Sequence, residues 1–185
     1  MKRLLVVVLL CGMLCGCSGG QGEMDRVLAL RTEMGKGSLS FDAVIVADYV
    51  DALYTFSVQC CMEQGEKLTF CVKAPETIAG ITGTVDASGG KLTFDQAALA
   101  FALLADGQLN PASAPYILMK ALLGGYITSC ATEGDMLRAT IRDSYADDAF
   151  TVDIWIDKEN QPVRGEILYD NRRILTVEVE NFSIG

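Results

Sequence analysis

The chain has 185 residues, half of them hydrophobic and 21% charged, with mean hydropathy +0.28. That length fits one domain with a real core, and the composition is too apolar for a disordered chain. Twenty-four acidic residues against 15 basic ones and no histidine give a net charge of −9. This excludes histidine-based triads, general bases and metal ligands, and argues against nucleic acid, which needs a basic footprint.

The first residues read as an address. Lys2 and Arg3 precede an apolar run from Leu4 to Leu10, continued by Cys11 to Cys15. The run is shorter than the roughly 20 residues a spanning helix needs, so it predicts a secretory signal peptide over 1–16. Leu14-Cys15-Gly16-Cys17 has the form of a bacterial lipobox, which makes Cys17 the first mature, lipid-bearing residue. The alternatives are ordinary cleavage without a lipid, or an uncleaved anchor. Residues 17–22 then form the lipidated cysteine and a flexible tether, and 23–185 the folded domain. Cleavage leaves 13 basic against 24 acidic residues, a net of −11. An anionic membrane repels such a domain, so the lipid must hold it at the extracytoplasmic face of the cell membrane.

Glu23 to Met34 carries helical spacing and is stopped by Gly35 and Gly37. From Leu39 the period becomes two: Leu39, Phe41, Ala43, Ile45, Ala47 and Tyr49 form one apolar face. A second strand puts Tyr54, Phe56, Val58 and Cys60 on one face, and a third, after a turn at Gly65, puts Leu68, Phe70 and Val72 inward. Pro75 ends it. Strands at Ile78–Val85 and Lys91–Phe94 are predicted around a loop at Asp86–Gly90. Ala97 to Leu104 is apolar without a clear period. Ser113 to Leu123 is the best helix, with Ser113 as cap, Pro115 in its first turn and Gly124-Gly125 as stop. Strands at Tyr126–Cys130, Met136–Arg142, Phe150–Asp157, Val163–Tyr169 and Ile174–Phe182 complete the chain. The expected fold is α+β: a curved antiparallel sheet of about nine to eleven strands, an incomplete barrel over an N-terminal and a central helix.

The order of these features resembles the LolA/LolB-like lipoprotein-carrier superfamily. It comprises the lipobox, a helix, the strand opening at Phe41, Leu68-Thr-Phe70 leading to Ala74-Pro75, and Gly80-Ile-Thr-Gly83. The apolar central helix, Ile154-Trp155-Ile156-Asp157 and Pro162-Val163-Arg164 follow. The likeness runs over roughly residues 23–182 and is to uncharacterised lipidated members from Gram-positive, clostridium-like bacteria. It implies a half-barrel whose apolar cavity holds lipid or the acyl chains of lipoproteins, for carriage, retention or sensing. The candidate lining is Phe41, Ile45, Tyr54, Phe56, Phe70, Ile117, Leu118, Leu122, Phe150, Ile154 and Ile167. The same residue types also build a filled core. The other function class is a partner-binding subunit of a cell-envelope or spore-germination complex, docking through a strand edge or the acidic face.

Cys60, Cys61, Cys71 and Cys130 follow the lipobox. Strand parity puts Cys61 and Cys71 on the outer face and, in the expected register, opposite each other, so Cys61–Cys71 is the bridge to consider. The alternative is that all four stay reduced. Adjacent cysteines without histidine do not make a zinc spacing. Asp147-Asp148, Asp153 with Asp157, and Asp42 with Asp48 match no calcium loop and read as solvated faces and turns. Gly89-Gly90-Lys91 reads as a turn, not a phosphate loop. Trp155 falls on the polar face, where it is expected to pack under a loop or a neighbour. No nucleophile–base pair or cofactor motif appears, so the protein is read as a non-enzyme without cofactors.

Overall fold

The computed structural model describes residues 21–87, 91–93, 105, 109–144, 146 and 149–185. The signal peptide, Cys17, the apolar segment at 97–104 and Asp147-Asp148 lie outside the described residues. Helix α1 spans Gln21–Met34, so the expected tether already turns helical at its last two residues. Val27, Leu30 and Met34 are its buried stripe.

Ten strands form one open antiparallel sheet: β1 Leu39–Asp48, β2 Leu53–Glu63, β3 Lys67–Ala74, β4 Thr82–Val85, β5 Lys91–Thr93, β6 Tyr126–Glu133, β7 Met136–Arg142, β8 Thr151–Ile156, β9 Pro162–Tyr169 and β10 Arg172–Ile184. Their order is β5-β4-β3-β2-β1-β10-β9-β8-β7-β6. The sheet is therefore two meanders joined where β1 pairs β10. Helix α2, Ala114–Gly124, enters from a 3₁₀ turn at Pro111–Ser113. The fold is α+β, with both helices packed against one sheet face.

Alternation makes that face. The paired rows run Phe56, Ile45, Val177, Gly165, Ile154 and Ala139 across β2, β1, β10, β9, β8 and β7. Phe70, Cys60 and Phe41 form another across β3, β2 and β1. All of these are buried. The opposite face carries Ser40, Asp42, Gln59, Thr69, Thr140, Asp153, Trp155, Arg164 and Glu166.

Three local expectations are corrected. The predicted strand at Ile78–Val85 begins only at Thr82, because Glu76–Ile78 closes a 3₁₀ turn after Pro75. Ser113 does not cap α2, since its backbone is already helical. Asn110 accepts from Ala112 N at 2.9 Å and caps the 3₁₀ turn instead. The β2–β3 register is displaced by two residues. Glu63 pairs Lys67, so the turn centres on Gly65, whose φ of 71° glycine adopts freely, rather than on Glu66. Cys61 then stands opposite Thr69 and Cys71 opposite Gln59. Diagonal positions of this kind are about 7–8 Å apart, beyond the usual Cα spacing of a disulfide of about 5.5–6 Å. Cys60, Cys61, Cys71 and Cys130 are all free thiols. Burial, then nearby Asp42, pushes the Cys60 thiol far up, as suits a small core side chain.

The β1–β2 hairpin turns through Tyr49–Ala52. Tyr49 N donates to Ala52 O at 3.0 Å and Val50 N to the Asp48 carboxylate at 2.8 Å. Val50 sits at φ 72°, a left-handed conformation that costs a β-branched residue about 1–2 kcal/mol. Asparagine tolerates it, and Val50 is too exposed to lose much burial. Val50→Asn is therefore expected to raise stability by roughly 1 kcal/mol, about 2–4 °C in Tm, by thermal unfolding.

Candidate functional site

The predicted lining residues divide in three. Phe41, Ile45, Phe56, Phe70, Leu118, Leu122, Ile154 and Ile167 are fully buried on or against the apolar face. Ile117 and Phe150 are partly buried beside it, Phe150 against Tyr169 with ring centroids 5.8 Å apart. Tyr54 shares the parity of Phe56 and pairs with the buried Ala47, but is itself exposed, edge-on to Tyr49 at 5.4 Å. It is no lining residue.

Helix α2 decides what the interior can hold beneath it. Its side chains Tyr116, Leu118, Met119, Ala121 and Leu122 are buried, which a helix with one charge in eleven residues requires. Leu118 lies directly on the backbone of Gly165 in β9. A Cβ built on Gly165 would come within 2.1 Å of Leu118 Cδ1. Beside it, a Cβ on Gly125 would lie 2.5 Å from Ile141 Cγ2. The helix is seated on the sheet in van der Waals contact at these points, with glycines supplying the clearance. Its end is fixed from α1: Arg31 donates to Leu122 O at 2.7 Å and Gly125 O at 3.0 Å, satisfying carbonyls that a helix terminus leaves open. Burial there lowers the Arg31 pKa from its ordinary value. The helices contact β6–β10, and Leu123 of α2 also reaches the β2–β3 turn at Gly65, while the inner face of β2 and β3 carries the buried Phe56, Val58, Met62, Leu68, Phe70 and Val72.

Among the described residues, two grooves lie on the outer face. One of about 500 Å³ crosses β1–β4 on the polar face, lined by Ser40, Gln59, Cys61, Thr69, Cys71 and Thr84 among others. Another of about 380 Å³ borders Trp155. Trp155 is not under a loop. Its ring lies between the guanidinium groups of Arg138 and Arg164, at 5.3 and 5.2 Å, and its Nε1 donates to Glu133 at 2.9 Å. Arg138 spans Glu133 at 2.8 Å and Asp153 at 2.7 Å. Asp153, only 4% exposed, also accepts from the Thr140 hydroxyl at 2.6 Å. Arg164 and Arg173 converge on Glu166. These charges are engaged with one another in a web across β6–β10. Parity places each member on the outer face, but only the register brings them together. Among the described residues, no group of three or more His, Cys, Asp or Glu is disposed to hold a metal.

Arg138 and Trp155, as hydrogen-bond donors, hold the Glu133 carboxyl below the ordinary glutamate value. A depressed folded-state pKa contributes stability above the unfolded value and loses it as pH falls through the folded one. Trp155 is the chain's single tryptophan, so acid titration of its fluorescence should show a step below the ordinary glutamate range. Glu133→Gln should remove that step.

No protein-family model matches the chain, and no curated protein matches it. Among solved structures it is similar in chain path to a LolA superfamily protein from Nitrosomonas europaea, at 9% identity and TM-score 0.44, over 86% of this chain and 93% of that one. A putative outer membrane lipoprotein-sorting protein domain from Vibrio parahaemolyticus matches at 8% identity and TM-score 0.37, over 85% and 90%. The MucA/MucB complex of Pseudomonas aeruginosa matches at 11% identity and TM-score 0.41, over 89% of this chain and 57% of that one.

Proposed function

We propose that this is a membrane-tethered extracytoplasmic lipoprotein, held by a lipid on Cys17, that acts through its surface as a non-enzymatic binding subunit for a protein partner. The observation that carries this reading is the seating of Leu118 on Gly165. An acyl chain between α2 and the sheet needs a gap there, and the methyl groups of Leu118 occupy it. The paired charges of the outer face support a binding surface more than a reaction site.

Native mass spectrometry with lipid extraction, on the chain from Ser18 onward purified from a bacterial host, tests this. The expected result is a clean protein mass, unchanged after incubation with phospholipid or fatty acid. A co-purifying lipid would overturn the proposal.

One observation favours a second reading. The inner face of β2 and β3 carries an aromatic pair, Phe56 and Phe70, well removed along the sheet from the Leu118–Gly165 contact. That half of the sheet is where an acyl chain would lie if extraction finds one. Phe70→Glu should then release it, while Leu118→Lys should unseat the helix.

A further inference from the structure

Among the described residues, the most exposed large apolar side chains grouped at one place are those of the β1–β2 hairpin. Val50 is 74% exposed, Leu53 68% and Tyr54 59%, and Tyr54 is braced by the ring of Tyr49. Scattered single hydrophobics are ordinary on a surface, but a contiguous group of this kind marks a contact site. The hairpin is also held in a conformation that disfavours one of its own members, since Val50 keeps a left-handed backbone pinned by Asp48.

Position and charge narrow the occupant. The N-terminal half of α1 is tied to the β8–β9 turn, where Arg26 donates to Asp157 O at 2.9 Å and to Asn160 Oδ1, and Glu23 accepts from Thr132. The antiparallel register sets that turn at the Leu39 end of β1 and the hairpin tip at the Asp48 end. Ten strand residues, roughly 33 Å, separate the two ends. The tip therefore points away from the end at which α1 begins. It carries Asp48 and Asp51 on a chain of net charge −9. An anionic bilayer repels such a tip, and a second copy would bring two like-charged tips together.

We infer that the hairpin tip, Val50, Leu53 and Tyr54 flanked by Asp48 and Asp51, docks into an apolar pocket with a basic rim on a partner protein. The inference rests on the partner-binding reading above and names its surface.

The test is site-specific photo-crosslinking of the full chain in membranes of the cells that make it. The probe amino acid replaces Leu53, Tyr54 or, at the opposite end, Glu159. The expected result is one protein adduct from positions 53 and 54 and none from 159. The partner so identified, once purified, should bind the domain at least tenfold more weakly after Leu53→Ser or Asp51→Lys. Val50→Asn should weaken binding while the protein becomes more thermostable, a combination that a purely structural role for Val50 would not give. Lipid adducts, self-adducts, or affinity unchanged by Leu53→Ser and Asp51→Lys would overturn the inference. Protein adducts at 159 alone would also overturn it while leaving the partner-binding reading standing. A lipid extracted from the purified domain would instead defeat that reading itself.

Discussion

Gly165→Ala is expected to destabilise the domain by about 1–3 kcal/mol, and Gly165→Leu to prevent the native fold from forming. The new Cβ would sit 2.1 Å from Leu118 Cδ1, 2.9 Å from Cδ2 and 3.1 Å from Cγ, so no rotation of one methyl removes the clash. Either Leu118 leaves its rotamer or α2 lifts from β9. Lifting α2 loosens Met119, Ala121 and Leu122, which are buried on the same helix, and strains the Arg31 contacts at its end. The decisive measurement is a double-mutant cycle by urea unfolding. Leu118→Ala alone removes a fully buried leucine and should cost about 2–5 kcal/mol. In the double variant the alanine at 165 fills part of the space the leucine left. The combined loss should therefore fall short of the sum by about 1 kcal/mol or more. Additive losses would mean that helix and strand do not touch at this point. An interior closed by Leu118 on Gly165 would be ruled out with them.

Much of the fold is legible along the chain because a strand with one buried face must alternate. Phe41, Ala43 and Ile45 declare β1, and the charge-poor run from Tyr116 to Leu123 declares a buried helix. What the alternation cannot carry is alignment between strands. Gly65 and Glu66 are both plausible turn centres, and the choice shifts Cys61 from Cys71 to Thr69. Alternation also says which way a side chain points but not how far the core extends along the strand. Tyr54 has the inward parity and still lies outside, because β3 pairs with β2 only from Ser57 onward, so β2 is uncovered at Tyr54 although its partner Ala47 in β1 is buried. Gly165 is a harder case. In sequence it is a weak spot within a strand, and only the helix laid across it reveals that its missing side chain is the seat of Leu118. The candidate site inherits these limits: eight of its eleven lining residues are buried, and one of them, Leu118, rests on the backbone of Gly165, which alternation does not single out.

Arg138→Met is expected to cost about 3 kcal/mol, the lower end of the range for breaking a buried ion pair, because the Arg138 side chain is itself 36% exposed and partly hydrated. The loss comes from what remains. Asp153 is 4% exposed, and with the guanidinium gone its Oδ2 loses its partner while only the Thr140 hydroxyl still serves Oδ1. Trp155 loses one of its two flanking cations, and Glu133 loses one of its two donors. Asp153→Leu alone should cost less, since Arg138 can keep Glu133 and turn its freed donors to water. The double variant Arg138→Met with Asp153→Leu should recover most of the Arg138→Met loss, because an apolar pair replaces a half-satisfied one. Far-ultraviolet circular dichroism during urea unfolding measures all three without relying on Trp155, whose surroundings change. If Arg138→Met proves harmless, the web is ornament on a sheet held by its inner face alone. If it is as costly as expected and the double variant recovers, the outer face holds β7 and β8 in register. Register in turn fixes the row Ile154, Gly165 and Val177, and with it the seat of α2. The polar face would then help set the packing of the apolar one, leaving the hairpin tip at the far end of β1 free to serve a partner.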